Sequence, residues 1–187
     1  MKDAKISIVT INKNNCYGLE KTIKSIIKQK KIYELIVIDG KSTDNSFSII
    51  KKYQSKINKF IFEKDKNISD AFNKGIKLSK SKWILFLNSG DYFYNKKVLE
   101  LIEKDILFYE KKDLLIYKLI FKSKIKKKEF GGRLTDLGKM KHYNTIPHQS
   151  LIMKRNLFKR FGLYSTKYPI AQDYEFLLRI IDKIKIA

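Results

Sequence analysis

Asp91 ends the polar run Asn88-Ser89-Gly90-Asp91, which follows five consecutive apolar residues, Trp83-Ile84-Leu85-Phe86-Leu87. Five is too few for a typical helix, and an apolar run bounded by such a turn reads as a strand buried on both faces of a parallel sheet. In open α/β sheets ligands bind just beyond the carboxyl ends of the strands, which is where Asn88, Ser89 and Asp91 stand. A carboxylate there is a candidate to hold a metal ion or a diphosphate. The same four residues are also common turn formers for purely conformational reasons, and the stretch alone does not separate the two readings.

The elements that would position Asp91 recur along the chain. Lys5 to Ile11 predicts a first strand, Asn12 to Asn15 a polar turn, and Leu19, Ile23, Ile26 and Ile27 an amphipathic helix lying on the sheet. Glu34 to Asp39 predicts a second buried strand, again with a carboxylate at its end. The loop Gly40-Lys41-Ser42-Thr43-Asp44 follows, with Thr43 or Asp44 as N-cap of a helix through Phe47, Ile50 and Tyr53. Two strand-loop-helix units in succession predict a parallel sheet. Phe60 to Glu63 gives a third strand, and Ser69 or Asp70 caps a helix from Ala71 to Ser79. Within it, Gly75 either permits close packing or merely weakens the helix.

Beyond the central stretch, Val98, Leu99, Ile102 and Ile106 mark a helix and Leu114 to Phe121 a strand. Gly131 to Tyr143 reads as a flexible loop. Helices around Leu157 and Phe161, and through Tyr174, Leu177, Leu178 and Ile181, close the chain. Without a repeat or a linker, residues 1–187 are expected to form one domain.

A chain of 187 residues with 43% hydrophobic content can bury a full core, which excludes a disordered protein. The single cysteine, Cys16, excludes an intramolecular disulfide and a Cys-rich zinc site, and suits a reducing cytosol. No apolar run is long enough to span a bilayer, and the start lacks a signal-peptide core, so a cytoplasmic location is expected. The net charge of +22 invites nucleic acid as a partner. The lysines, however, are spread over nearly every element and arginine is scarce, which points to a solvated surface with attraction to an anionic membrane as second reading, and away from nucleic acid. The densest run, Lys122 to Lys128, is either a membrane-facing segment or a solvated loop.

Three stretches together resemble one family, the inverting glycosyltransferases of family 2 with the GT-A fold. The first joins Ser7-Ile8-Val9-Thr10-Ile11-Asn12 to Glu34 through Ser46. The second runs from Ile68-Ser69-Asp70-Ala71-Phe72-Asn73-Lys74-Gly75-Ile76 into Trp83 to Asp91. The third is Pro147-His148-Gln149-Ser150 with Ala171-Gln172-Asp173-Tyr174-Glu175-Phe176-Leu177-Leu178-Arg179. The similarity covers essentially the whole chain and is closest to small bacterial enzymes of capsule, O-antigen and exopolysaccharide assembly.

The resemblance implies an α/β fold with a mostly parallel sheet flanked by helices. Residues 1–95 would hold a nucleoside-diphosphate sugar, most commonly a UDP-sugar. Residues 96–187 would face a glycan or lipid-linked acceptor, in a half that is short compared with family members, which usually continue through further strands and helices. Thr10 and Asn12 match positions bordering the nucleotide, and Asp39 one that receives the uracil or ribose. Since the usual second acid is here Gly40, either Asp39 or Asp44 touches the base. Asn88-Ser89-Gly90-Asp91 stands in place of the Asp-x-Asp motif, with Asp91 as ligand to Mg²⁺ or Mn²⁺ and Asn88 as a neutral contact. Asp70 and Lys74 flank the helix approaching the donor, with Lys74 on phosphate or simply at the surface. Asp173 matches the catalytic base, which takes the acceptor's proton as its oxygen attacks the anomeric carbon. Read from its residues alone, it is an N-terminal helix acid favourable to the dipole. His148 and Gln149 are candidates for contact with acceptor or diphosphate.

Two other functions compete. A shortened or degenerate relative would hold nucleotide without turnover, which the single retained acid of the metal motif favours. A nucleotidylyltransferase would need a glycine-rich phosphate loop after the first strand, and Thr10-Ile11-Asn12-Lys13-Asn14-Asn15 contains no glycine.

Overall fold

A computed structural model describes residues 4–122, 127–131, 146–168 and 170–187. In chain order its strands are β1 (Ile6–Asn12), β2 (Glu34–Asp39), β3 (Lys59–Phe62), β4 (Trp83–Phe86), β5 (Leu114–Ile116), β6 (Lys118–Lys122), β7 (Lys127–Gly131) and β8 (Leu151–Lys154). Its helices are α1 (Cys16–Ile27), α2 (Ser46–Lys52), α3 (Ile68–Leu78), α4 (Val98–Phe108), α5 (Asn156–Phe161) and α6 (Gln172–Ile180).

The apolar runs assemble into a six-stranded sheet of order β3-β2-β1-β4-β8-β5. The first four strands are mutually parallel. β8 is antiparallel to both its neighbours, so β5 runs in the same direction as β4. The expected mostly parallel sheet is therefore present, with one reversed strand inserted beside its centre. At the outer edge, Leu114 bridges Ile186, and Ala187 exchanges backbone hydrogen bonds with Leu114 and Ile116.

Alternation along each strand divides the core into two layers. Val9, Ile36, Ile38, Ile84 and Phe86 share one cluster with Phe72 and Ile76 of α3, Leu157 and Phe158 of α5, and Phe176 of α6. Ile8, Leu35, Val37 and Leu85 share the other with Leu19, Ile23 and Ile26 of α1, Ile50 of α2, and Leu99 and Ile102 of α4. Gly75 lets α3 lie close on β1: a Cβ there would stand 2.3 Å from Val9 Cγ1. That selects the close-packing alternative.

Local details differ from expectation. Asn67 caps α3, its side chain accepting from the Asp70 amide at 3.1 Å, while Ser69 is buried in the first turn. Asn45 precedes α2. Asp44 accepts from the Ser46 amide and hydroxyl with one oxygen and from the Cys16 amide with the other, so it ties the starts of α1 and α2 together. The strand expected over Leu114 to Phe121 breaks at Tyr117, whose amide donates to Ser150 O and whose hydroxyl donates to Asp105. β5 stays in the main sheet, and β6 pairs with β7 outside it. Of the expected loop from Gly131 to Tyr143, Gly131 ends β7 and residues 132–143 lie outside the described residues, as do 123–126 of the lysine run. Among the described residues no helix is long and apolar enough to cross a membrane.

Candidate active site

The carboxyl ends of β1 and β2 meet in register, with Asn12 opposite Asp39. Asn12 Nδ2 donates to Asp39 Oδ2 at 2.6 Å and to Ser46 Oγ at 2.9 Å. Asp39 also accepts from the Ser42 amide at 2.7 Å and hydroxyl at 2.9 Å. Asp39 has no exposed surface and is fully occupied in holding the Gly40–Asp44 loop to the sheet. Thr10 is equally buried, and its hydroxyl oxygen has no partner among the described residues. Outside this knot Lys13 donates to the carbonyls of Gly40 and Lys41, with Asn14 and Lys41 both in the left-handed region at φ 47° and 59°.

A Cβ on Gly40 would stand 2.8 Å from Asp65 Oδ2. Asp65 thus fills the space that a second acidic side chain after Asp39 would need, which accounts for the glycine and places a carboxylate that the sequence reading overlooked. Lys74 Nζ lies 2.6 Å from Asp65, 3.0 Å from Glu63 and 3.2 Å from Asp70. Burial works against its charge, but the three carboxylates outweigh it and raise its pKa. In this arrangement Lys74 gathers acids around the β2 end. Asp70 is in turn held low: burial pushes it upward, and the Lys66 amide and Lys74 overcome that.

On the other side of β1, the Asn88–Asp91 turn is held by contacts that the sequence reading also missed. Ser89 donates its amide to Ile11 O at 3.1 Å and its hydroxyl to Asn15 O at 3.3 Å. Thr22 of α1, fully buried, bonds Asn88 O at 3.2 Å and Asp91 O at 2.6 Å and accepts from the Gly90 amide at 3.0 Å. Gly90 itself sits at φ 103°, a conformation natural to glycine alone. The available signal was a polar stripe, Thr22, Ser25 and Gln29, at helical spacing.

The second half of the chain reaches the same place from the opposite face. β8 runs against its neighbours, so the turn that precedes it, His148–Ser150, lies at the carboxyl ends of the parallel strands. Gln149 is half-buried in that turn. His148 packs edge-on to Phe72, its Nε2 is 3.1 Å from Asn88 Nδ2, and its Nδ1 is 3.4 Å from Asp173 Oδ2. With Asn88 as donor, Nε2 is the acceptor and the ring proton sits on Nδ1, facing the carboxylate. Asp173 lies in the first turn of α6, directly after Ala171 at φ 61° and the buried Gln172. Asn73 of α3 clamps the segment leading there, donating to Tyr164 O at 2.9 Å and accepting from Tyr164 N at 3.0 Å.

The two acids at this junction are tuned in opposite directions. Burial raises Asp91, against a weaker backbone hydrogen bond at Asn88 and attraction from Lys21. Burial would raise Asp173 too, but the hydrogen bond from His148, with backbone amides of the α6 start, holds it below the ordinary carboxylate value. Asp173 is thus poised as an ionised proton acceptor. Among the described residues no group of three or more His, Cys, Asp or Glu side chains is arranged to hold a metal ion. The turn does offer Asp91, a carboxylate whose charge burial disfavours, and Asn88 Oδ1, a buried oxygen without a partner among the described residues. One carboxylate and one amide oxygen fit Mg²⁺ or Mn²⁺ arriving with phosphate oxygens and waters, not a cation caged by protein alone.

Donor-side candidates thus form two groups. Thr10, Asn12, Asp39 and Asp44 lie with the β1–β2 loop, and Asp70 and Lys74 lie in the acidic cluster beside it. Asn88, Ser89 and Asp91 belong to the second group, where Asn88 meets His148, which in turn meets Asp173.

Comparison with known proteins bears on the family and the fold. The chain is 29% identical over 150 residues to the PGL/p-HBAD biosynthesis glycosyltransferase of Mycobacterium tuberculosis, covering 79% of this chain and 57% of that protein. S. aureus TarS 1–349 in complex with UDP-GlcNAc superposes with a TM-score of 0.78 at 19% identity, over 97% of this chain and 55% of that TarS chain. The mannosyltransferase PcManGT of Pyrobaculum calidifontis, in complex with GDP-Man and Mn²⁺, gives 0.75 at 14%, over 99% and 55%. The chain therefore spans little more than half the length of these proteins, and its fold is GT-A. Residues 7–159 match the family described as Glycosyl transferase family 2, and the chain belongs to that family.

Proposed function

We propose that the protein transfers a sugar from a nucleoside-diphosphate donor to a glycan or polyprenyl-linked acceptor, with inversion at the anomeric carbon, in the assembly of a surface polysaccharide. The observation that carries this reading is the meeting of Asn88 and Asp173 on the two nitrogens of one imidazole, His148. It joins the turn bearing Asp91 to an ionised carboxylate from the other half of the chain. Residues 1–95 hold the donor and residues 96–187 face the acceptor. The β1–β2 loop shapes the nucleotide pocket, with Asp44 and the acids gathered by Lys74 around the base and ribose. Asp91 and the Asn88–Ser89 turn anchor the diphosphate. A divalent cation, when bound there, neutralises the diphosphate and eases its departure. Asp173 takes the proton of the attacking hydroxyl, and His148 keeps that carboxylate ionised and oriented.

The named partners of the similar proteins, UDP-GlcNAc and GDP-Man with Mn²⁺, support a sugar nucleotide and a cation. We assign the protein to the cytoplasmic side of the membrane, its net charge of +22 favouring contact with an anionic surface. A second reading, nucleotide retention without transfer, is favoured by the single carboxylate of the 88–91 turn. A thermal-shift titration against nucleoside diphosphates and their sugars, with and without Mn²⁺ or Mg²⁺, tests the donor site, because a ligand bound only by the native state stabilises it. Cation-dependent stabilisation by one nucleotide class, lost in Asp91→Ala, is the expected result. Stabilisation without any donor hydrolysis or transfer supports the second reading, and no stabilisation removes both.

A further inference from the structure

The Asn88–Asp91 turn and the segment after it are held along one side of α1 by side-chain hydrogen bonds at successive turns of that helix. Thr22 Oγ1 bonds Asn88 O and Asp91 O and accepts from the Gly90 amide. One turn on, Ser25 Oγ accepts from the Phe93 amide at 3.3 Å while donating to Thr22 O at 2.8 Å. One further turn on, Gln29 donates to Asn95 O at 2.8 Å and accepts from the Leu99 amide at 3.1 Å. Positions 22, 25 and 29 lie on one face of a helix, and Thr22 and Gln29 are both buried. Such groups are stable in an interior only when paired, and their partners here are backbone atoms of the segment that carries Asp91 together with carbonyls of α1 itself, Gly18 O for Thr22 at 2.9 Å and Ser25 O for Gln29 at 3.3 Å.

We infer that α1 is a hydrogen-bonding template for this segment, and that Thr22 is a positioning residue of the donor site. A hydroxyl has one proton, so Thr22 donates to one carbonyl at a time, and its 2.6 Å contact places that proton on Asp91 O. Its lone pairs hold the Gly90 amide. The Ser89–Gly90 and Asp91–Tyr92 peptides, on either side of the Gly90–Asp91 link, are thereby fixed to a rigid helix, leaving the carboxylate little latitude to swing. The consequence for function rests on the reading of Asp91 as the diphosphate and cation anchor. The template itself rests on the hydrogen bonds alone.

The test uses the intact chain with Thr22→Val, which keeps the shape and removes the hydroxyl, and Thr22→Ser, which restores it. The first measurement is hydrogen exchange at the Gly90 amide. Thr22→Val should exchange at least about tenfold faster than wild type and Thr22→Ser within about threefold of it, with Tm unchanged between the two variants. The second is calorimetric binding of UDP in Mn²⁺, which should weaken by about tenfold in Thr22→Val and not in Thr22→Ser. Should the valine variant not fold, Thr22→Cys, which puts a weakly hydrogen-bonding thiol in place of the hydroxyl, replaces it in both measurements. Unchanged Gly90 exchange overturns the template. Faster exchange with undiminished UDP affinity, in a protein whose Asp91→Ala variant does lose affinity, overturns Thr22 as a positioning residue. Faster Gly90 exchange in Thr22→Val, in a protein whose wild type binds no UDP, leaves the template standing and overturns the donor reading.

Discussion

His148 Nδ1 stands 3.4 Å from Asp173 Oδ2 while the opposite nitrogen of the same ring meets Asn88. A neutral imidazole can serve two partners in this way only with one nitrogen donating and the other accepting, so each contact fixes the tautomer seen by the other. The carboxylate assigned to proton removal is therefore oriented by the turn assigned to the leaving group.

Separate roles for the two acids lead to separable defects. Asp91→Ala should weaken cation-dependent binding of a nucleoside diphosphate. Asp173→Asn should leave that binding within about threefold of wild type and lower transfer by about 10²–10⁴, the usual contribution of a general base. Calorimetry and a transfer assay on both variants decide this. Equal loss of donor affinity in the two would contradict the division.

His148→Gln gives a pH signature. In the wild type the His148 contact offsets burial and keeps Asp173 low. Without it burial prevails, the carboxyl takes up its proton at higher pH, and the acid limb of the rate profile moves to higher pH. A transfer loss of about tenfold or more should accompany the shift, because the carboxylate is no longer held in place. A rate loss with an unmoved acid limb would show that His148 acts otherwise than through Asp173.

Gly75→Ala should destabilise the fold by roughly 1–3 kcal/mol, because the added methyl meets Val9 Cγ1 on a stiff β-branched side chain. The intrinsic helix preference for alanine returns at most about 1 kcal/mol of that. In a Val9→Ala background the same change should be neutral or stabilising. Urea unfolding of the four proteins in this cycle gives the coupling directly.

Glu34 carries an acid-sensitive part of the stability at the other end of the sheet. Its carboxylate accepts from Lys59 at 2.7 Å, the Lys80 amide at 2.8 Å and the Ser7 hydroxyl at 2.5 Å. Burial pushes its pKa up, and these partners together bring it below the ordinary value. A carboxyl lowered on folding stabilises the protein above its unfolded pKa of about 4.3, and that stabilisation is lost as pH falls through the folded value. Glu34→Gln should cost about 2 kcal/mol at pH 7 and much less at pH 3. Urea midpoints at the two pH values test this, and an equal loss at both would rule out the charge as its source.

Elements formed by local pattern were legible in the sequence. The runs ending at Ile11, Asp39 and Leu87 declared themselves as buried strands, and the polar residues after them as lying together at the carboxyl edge of the sheet. Choice among neighbouring polar residues was not legible: Asn67, Ser69 and Asp70 are all plausible caps, and only the turn of the chain picks Asn67. The break at Tyr117 depends on Ser150 and Asp105, and the position of β8 on two strands distant in sequence. Within the site, the residue types came from resemblance to a family. Their convergence on His148, the sealing of Asp39 and the hold of Thr22 on the turn are long-range relationships that no window of sequence displays.

β8 lies between β4 and β5, although β5 follows β4 directly in the order of strands along the main sheet's chain. Until Leu151–Lys154 slots in, β4 presents an open edge of unsatisfied amides and carbonyls, and β5 has no partner on that side. Closing such a gap requires a contact between segments far apart in the chain, which is slow compared with forming the first three strand-helix units. A chain emerging from synthesis would therefore hold a nearly finished N-terminal half while remaining sticky along β4. Asp173 follows β8 in the chain, so the step that would complete the proposed site is also the one that ends the risk of aggregation.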